Sequence, residues 1–247
     1  MAGRWMTIKY WASTARAQLR SDGLWSVLAA ALRTVKALGV NLLQLPGEIM
    51  FEFRTQTRTR GDYWPSQKVI ANARYGDGYH YKPIDRRLMN EALRTVEIDP
   101  QASTFVDLGC GKGRALVVAA ELGWRRLVGV EYDPELAARA QENAESYSRR
   151  KQSSPDLSIE IIEGDAANYE PPAGQFVLFM YNPFGEETVA AVIDRVVQSW
   201  RSDRRPVAVV YAFPRWEHQL RNRELVETAR VGSRRHPIDQ VVIWRLG

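Results

Sequence analysis

Cysteine is almost missing from this chain, with Cys110 alone among 247 residues. An internal disulfide framework is excluded, as is a zinc site built on cysteine pairs. The scarcity suits a reducing, cytoplasmic compartment. Histidine is nearly as rare, and His80, His218 and His236 show no ligand spacing, so a metal site is not expected. Internal repeats are absent too. The longest apolar pattern, Leu24 to Leu45, is split by Arg33 and Lys36, which argues against a membrane-spanning helix. It also starts late and lacks a small-residue cleavage site, unlike a secretory signal.

What remains is an ordinary folded composition, 45% hydrophobic and 26% charged, enough for a single α/β core. The net charge of +5 is gathered at one end. Residues 1–60 hold nine Lys/Arg against three Asp/Glu, whereas the rest holds twenty-five against twenty-six. We therefore divide the chain into a basic helical extension with its linker, 1–60, and a nearly neutral domain, 61–247. In the extension Leu24, Leu28, Leu32, Val35, Leu38, Leu42 and Leu45 recur at helical spacing until Pro46-Gly47. Two placements stay open: this helix packs on the domain, or residues 24–45 lie on a membrane surface with Trp5, Trp11 and Trp25 as anchors. Thr55 to Arg60 then reads as a polar linker.

The densest signal runs from Thr104 to Asp133. A buried strand, Thr104 to Leu108, leads into Gly109-Cys110-Gly111-Lys112-Gly113, a helix from Arg114 to about Leu122, and a second strand ending at Glu131. Glycines there let the backbone approach a ligand and take positive φ. The helix start offers N–H groups to an anionic group. Glu131, eighteen positions past Gly113, stands where a carboxylate accepts hydrogen bonds from ribose hydroxyls, with Tyr132 beside it. Dinucleotide sites use G-x-G-x-x-G; this turn is G-x-G-x-G.

With Asp107 two positions before the first glycine, Asp107-Leu108-Gly109-Cys110-Gly111-Lys112-Gly113 matches D/E-x-G-x-G-x-G, and the chain resembles the class I, seven-strand S-adenosylmethionine (SAM) methyltransferases. The resemblance extends over about Tyr75 to Gly247. It implies an α/β, Rossmann-like fold: a seven-stranded, mostly parallel sheet with helices on both faces. It also implies SAM as cofactor, held by Asp107, Gly109, Gly111, Gly113, Glu131, Tyr132 and Asn182, with Asp165 and Ala166 at the adenine edge. Phe176 to Tyr181 is a buried central strand ending in Asn182-Pro183-Phe184. In amine-directed methyltransferases the equivalent loop, often N-P-P-F/Y/W, grips the acceptor nitrogen. This chain has one proline fewer. Tyr81-Lys82-Pro83 loosely resembles the Y-x-P segment of non-SET protein-lysine methyltransferases, which casts Tyr81 as a partner for the methionyl carboxylate; a Gly-rich turn whose tyrosines cover the hydrophobic core is the equal alternative. Tyr75 to His80 would continue that aromatic segment.

Other elements follow from period and caps: a helix from Pro83 to about Val96, one from Asp133-Pro134 to about Tyr147 followed by a basic loop Arg149 to Lys151, one from Glu186 to Trp200, and a closing pair Leu225–Val231 and Gln240–Leu246. Cys110 is a small side chain in a tight turn, since sulfonium chemistry needs no thiol. The expected enzyme is a SAM-dependent methyltransferase acting through Asn182, Pro183, Phe184 and Tyr81 on an amine, a protein lysine first. An RNA or DNA base is the alternative acceptor, with Arg201, Arg204, Arg205, Arg234 and Arg235 as phosphate contacts. A non-catalytic SAM-binding module is the third reading.

Overall fold

Seven strands pair edge to edge in the order β3-β2-β1-β4-β5-β7-β6. These are β1 (Thr104–Leu108), β2 (Arg126–Glu131), β3 (Ser158–Glu163), β4 (Phe176–Tyr181), β5 (Val207–Ala212), β6 (Leu225–Gly232) and β7 (Gln240–Leu246). β1 and β5 are buried along their whole length, as befits strands covered on both faces. β1 through β5 run parallel, and β7 is antiparallel to both of its neighbours. The mostly parallel seven-stranded sheet and its closing antiparallel pair agree with the sequence.

The computed structural model describes residues 45–63, 81–151, 156–232 and 240–247. Contacts divide the chain into two compact units, Met1–Phe51 and Glu52–Gly247. Of the first unit residues 45–51 are described, and they are helical, in a helix α1 that continues to residue 55. The Leu24–Leu42 pattern, the three tryptophans, the segment Tyr75 to His80, and Arg234 and Arg235 lie outside the described residues. Among the described residues no helix is long and apolar enough to cross a membrane.

Among the described residues the remaining α-helices are α2 (Arg86–Arg94), α3 (Arg114–Glu121), α4 (Pro134–Arg150), α5 (Glu186–Ser202) and the short α6 (His218–Arg221). Alternation along the strands sends side chains to two faces. Val106 and Leu108 join Val189, Ile193 and Trp200 of α5 in one core. Phe105 meets Phe179 and Trp124 instead. Asp133 caps α4 by accepting from Glu135 N at 2.9 Å, with Pro134 in the first turn.

Three expectations change. α2 starts at Arg86, because the Asp85 side chain caps it by accepting from Arg87 N; Pro83 precedes the helix. α4 runs to Arg150, so Arg149 and Arg150 form its last turn, where cations suit the carbonyl end. Thr55 to Arg60 is not a free linker: Thr55, Thr57 and Thr59 are buried. Their hydroxyls can be buried because hydrogen-bonding partners await them, and alternate residues point outward.

Candidate active site

The strands' carboxyl ends surround a cavity of 310 Å³. Strand ends and loops supply its wall: Asp107 in β1 with Gly109 and Gly111 after it, Glu131 closing β2 with Tyr132 after it, Gly164 to Ala166 after β3, Tyr181 closing β4 with Asn182 to Phe184 after it, and Phe213 after β5. The sheet runs β2-β1-β4, so the chain leaves β1 in one direction and β4 in the other. Ligands of open α/β sheets bind at such a switch point.

The glycine turn is shaped by contact as well as by φ. Gly109, Gly111 and Gly113 have φ of 76°, 55° and 76°. A Cβ on Gly109 would collide with Pro183, and one on Gly111 with the Tyr81 ring. Both expected halves of the site, the first glycine turn and the Asn182 loop, therefore press against each other. Gly111 N donates to Glu131 Oε2 at 2.7 Å, and Asp133 N donates to Oε1 at 2.9 Å. Burial pushes Glu131 up to about 7 against the pull of these backbone donors. Burial also lifts Asp107 well above the usual carboxylate range, and the Glu131 charge adds to it. Two buried acids thus share one wall, an arrangement typical of functional clefts.

Asn182 is 5% exposed and holds a φ of 37°, unusual for a residue other than glycine. Tyr211 Oη donates to its Oδ1 at 3.4 Å. Phe213, at the end of the neighbouring strand, has φ 52°. Two strained residues at adjacent strand ends, both lining the cavity, fit a site where backbone strain is held by the surrounding fold. Asp165 lines the cavity while its side chain accepts from Ala167 N at 2.9 Å, which holds the turn after β3. Cys110 is buried and burial pushes its thiol up, against any nucleophilic role.

The Tyr81 hydroxyl donates to the Thr59 carbonyl at 2.7 Å. The ring backs Gly111 and lies 5.0 Å beneath Lys112 Nζ. A short strap explains this arrangement. Lys112 Nζ donates to the carbonyls of Arg60 at 3.0 Å and Gly61 at 2.8 Å. Asn143 accepts from Arg58 N at 2.7 Å and donates to Lys112 O at 2.9 Å. Sequence reasoning missed Arg114, Phe213 and this strap. For Arg114 a signal existed: it is the charged residue opening a helix that is apolar until its closing Glu121, Arg-Ala-Leu-Val-Val-Ala-Ala-Glu.

The glycine turn, packed against Pro183 and the Tyr81 ring, and the buried acid at the second strand end thus line one cavity, where the sequence leads us to expect an adenosyl cofactor. Residues 105–206 match the family model described as a methyltransferase domain. The seven-stranded order with its antiparallel closing pair is the Rossmann-like fold expected from the sequence, and the matched segment carries the glycine turn, Glu131 and the Asn182 loop. Among relatives, the ribosomal protein L11 methyltransferase of Tolumonas auensis is 30% identical over 73 residues, covering 30% of this chain and 24% of that protein. That of Alteromonas mediterranea is 45% identical over 47 residues, covering 19% and 16%. The chain thus spans less than a quarter of the length of these two relatives. A solved structure, the ribosomal protein L11 methylase of Lactobacillus delbrueckii subsp. bulgaricus, aligns with a TM-score of 0.45 and 14% identity over 64% of this chain and 76% of that one.

Proposed function

We propose that this protein transfers the SAM methyl group to an amine, a protein lysine side chain first. The observation that carries the reading is the placement of Asn182-Pro183-Phe184 on the wall of the glycine-turn cavity, with Asn182 buried and its side chain engaged by Tyr211. The names of the relatives, ribosomal protein methyltransferases, favour a protein acceptor.

Bound SAM supplies a methyl group on a sulfonium, a leaving group already cationic. The chain's own task is positional, and holding reactants in line can lower a barrier by several kcal/mol. Glu131 and the glycine turn would hold the adenosine, and Asp165 and Ala166 would flank the base. A lysine enters as an ammonium and must lose a proton before it has a lone pair. Tyr181, Phe184 and Phe213 give the cavity apolar walls that disfavour the charged amine. Asn182 Oδ1 has a second lone pair for an amine hydrogen, and its backbone carbonyl offers another. Accepting those hydrogens turns the nitrogen lone pair toward the methyl.

A nucleic-acid acceptor has weaker support, because arginines offered for phosphate contacts are engaged within the chain. Arg201 pairs with Glu224, and Arg205 donates to the carbonyls of Gly174, Ser199 and Pro172. Methyl-labelled SAM with cell extract separates the classes: label lost to protease and resistant to nuclease is expected, and the reverse pattern overturns the amine reading. Asn182→Ala should slow labelling about tenfold or more while S-adenosylhomocysteine affinity stays within about threefold. Equal loss of both would move Asn182 from the acceptor to the cofactor.

A further inference from the structure

The basic, leucine-striped N-terminus takes no part in the site, and its two placements predict opposite fates for the stripe where it reaches α1. A helix that packs on its own domain turns its apolar stripe inward. One that lies on a surface keeps it outward. The stripe through Leu38 and Leu42 stays in phase with Leu45, Ile49 and Phe53, each three or four positions further on. In α1, described from residue 45 to residue 55, that stripe faces solvent: Leu45 is 41%, Ile49 48% and Phe53 79% exposed, with Met50 beside them at 62%. Phe51 and Thr55, four positions apart on the opposite side of the helix, are buried. α1 therefore buries one face and presents its apolar one. Among the described residues the other exposed large apolar side chain is Val226 on β6, so this surface is gathered on one helix. Contiguous exposed apolar surface marks a contact site, whereas scattered apolar residues do not.

Charge selects the occupant. Residues 1–44 carry six Lys/Arg against one Asp/Glu, while residues 61–247 are balanced, twenty-five against twenty-six. A second copy of the chain would bring the same cations against the stripe, and like charges oppose that pairing. Anionic headgroups attract them, and each basic residue near such a surface adds to the binding. Trp5, Trp11 and Trp25 suit the boundary between headgroups and acyl chains.

We propose that α1, with the basic stripe before it, binds an anionic lipid surface, lying in its plane with Ile49, Met50 and Phe53 in the acyl boundary and the cations among the headgroups. The proposal depends on neither the SAM site nor the methyl acceptor. It places the domain beside a lipid surface, where acceptors held at that surface are within its reach.

Co-sedimentation of the full chain with vesicles tests this. The wild-type chain should partition onto vesicles of about 30% phosphatidylserine in phosphatidylcholine about tenfold or more over phosphatidylcholine alone, and raising salt from about 0.1 to about 0.5 M should remove most of that difference. Ile49→Ser combined with Phe53→Ser should weaken partitioning onto the anionic vesicles about tenfold or more. Its unfolding midpoint without vesicles should stay within about 3 °C of wild type, because both side chains are exposed. Met50→Ser alone should give a smaller loss in the same direction, which keeps the test usable if the double variant misfolds. Absence of binding to either vesicle, equal binding to both, or unchanged binding by the double variant overturns the proposal. So does a lipid-free wild-type dimer that the double variant dissolves, because a second copy then covers the stripe.

Discussion

Gly111 carries two constraints at once, a φ of 55° and a neighbouring Tyr81 ring where its Cβ would be. Gly174 has a similar φ of 76° but nothing within 4 Å of its Cβ. Comparing them separates strain from collision. Gly174→Ala should lower stability by about 1–2 kcal/mol, the cost of left-handed backbone for a side chain, and leave S-adenosylhomocysteine binding unchanged. Gly111→Ala should add a loss of binding of about tenfold or more, because the Gly111 N–H to Glu131 moves with the turn. Calorimetric titration of both variants would show this, and equal affinities would contradict the clash. Glu131 gives a pH prediction. Ribose hydroxyls donating to its carboxylate favour the charged form and pull its value below about 7. The bound state then holds fewer protons than the free one, so affinity rises with pH from about 6 to about 8 and levels off above. Proton release measured in buffers of different ionisation enthalpy should follow the slope of that curve, vanish where affinity levels off, and disappear in Glu131→Gln. The carboxylate and the glycines were legible in the sequence because the turn dictates backbone shape locally. The destination of the Tyr81 hydroxyl was not, since Thr59 lies twenty-two positions away.

Among the elements, the strap from Glu52 to Tyr63 has no hydrophobic period of its own. Its Thr-Gln-Thr-Arg-Thr-Arg composition reads as solvated, and only its partners change that reading. Glu52 accepts from the backbone N–H groups of Thr59 and Arg60, each at 2.6 Å. Tyr63 and Tyr81 exchange backbone hydrogen bonds, each at 3.1 Å. Asn143 joins the strap to the glycine turn from the middle of α4. Asn143→Ala should therefore leave the Arg58 N–H and one turn carbonyl without a side-chain partner, at a cost of about 1–3 kcal/mol. The midpoint of thermal unfolding reports the stability term. Amide exchange at Arg58 should accelerate more than exchange in β5; uniform acceleration would mean that the strap does not open by itself. Strands and long helices gave themselves away by period and caps, as β4, α4 and α5 illustrate. Bonds between remote polar segments leave no such periodic trace.

For the whole molecule, the cavity joins loops from five strands, so ligand occupancy should stabilise the domain as a unit. At about 100 times its dissociation constant, S-adenosylhomocysteine should add about 2.7 kcal/mol and raise the unfolding midpoint by roughly 5–10 °C. Thermal scans with NAD in its place should show no shift; a shift with NAD alone would contradict the adenosyl-methionine pocket. The chain by itself determined the strand-turn-helix-strand unit, the acid at Glu131 and the central apolar strands, because each is written in contiguous residues whose backbone needs or burial are local. Only the tertiary structure decided that Gly109 meets Pro183, that Arg114 lines the cavity, and that Thr55, Thr57 and Thr59 are buried. Those outcomes depend on which remote groups supply a hydrogen bond or exclude water, and distance along a chain carries no record of either.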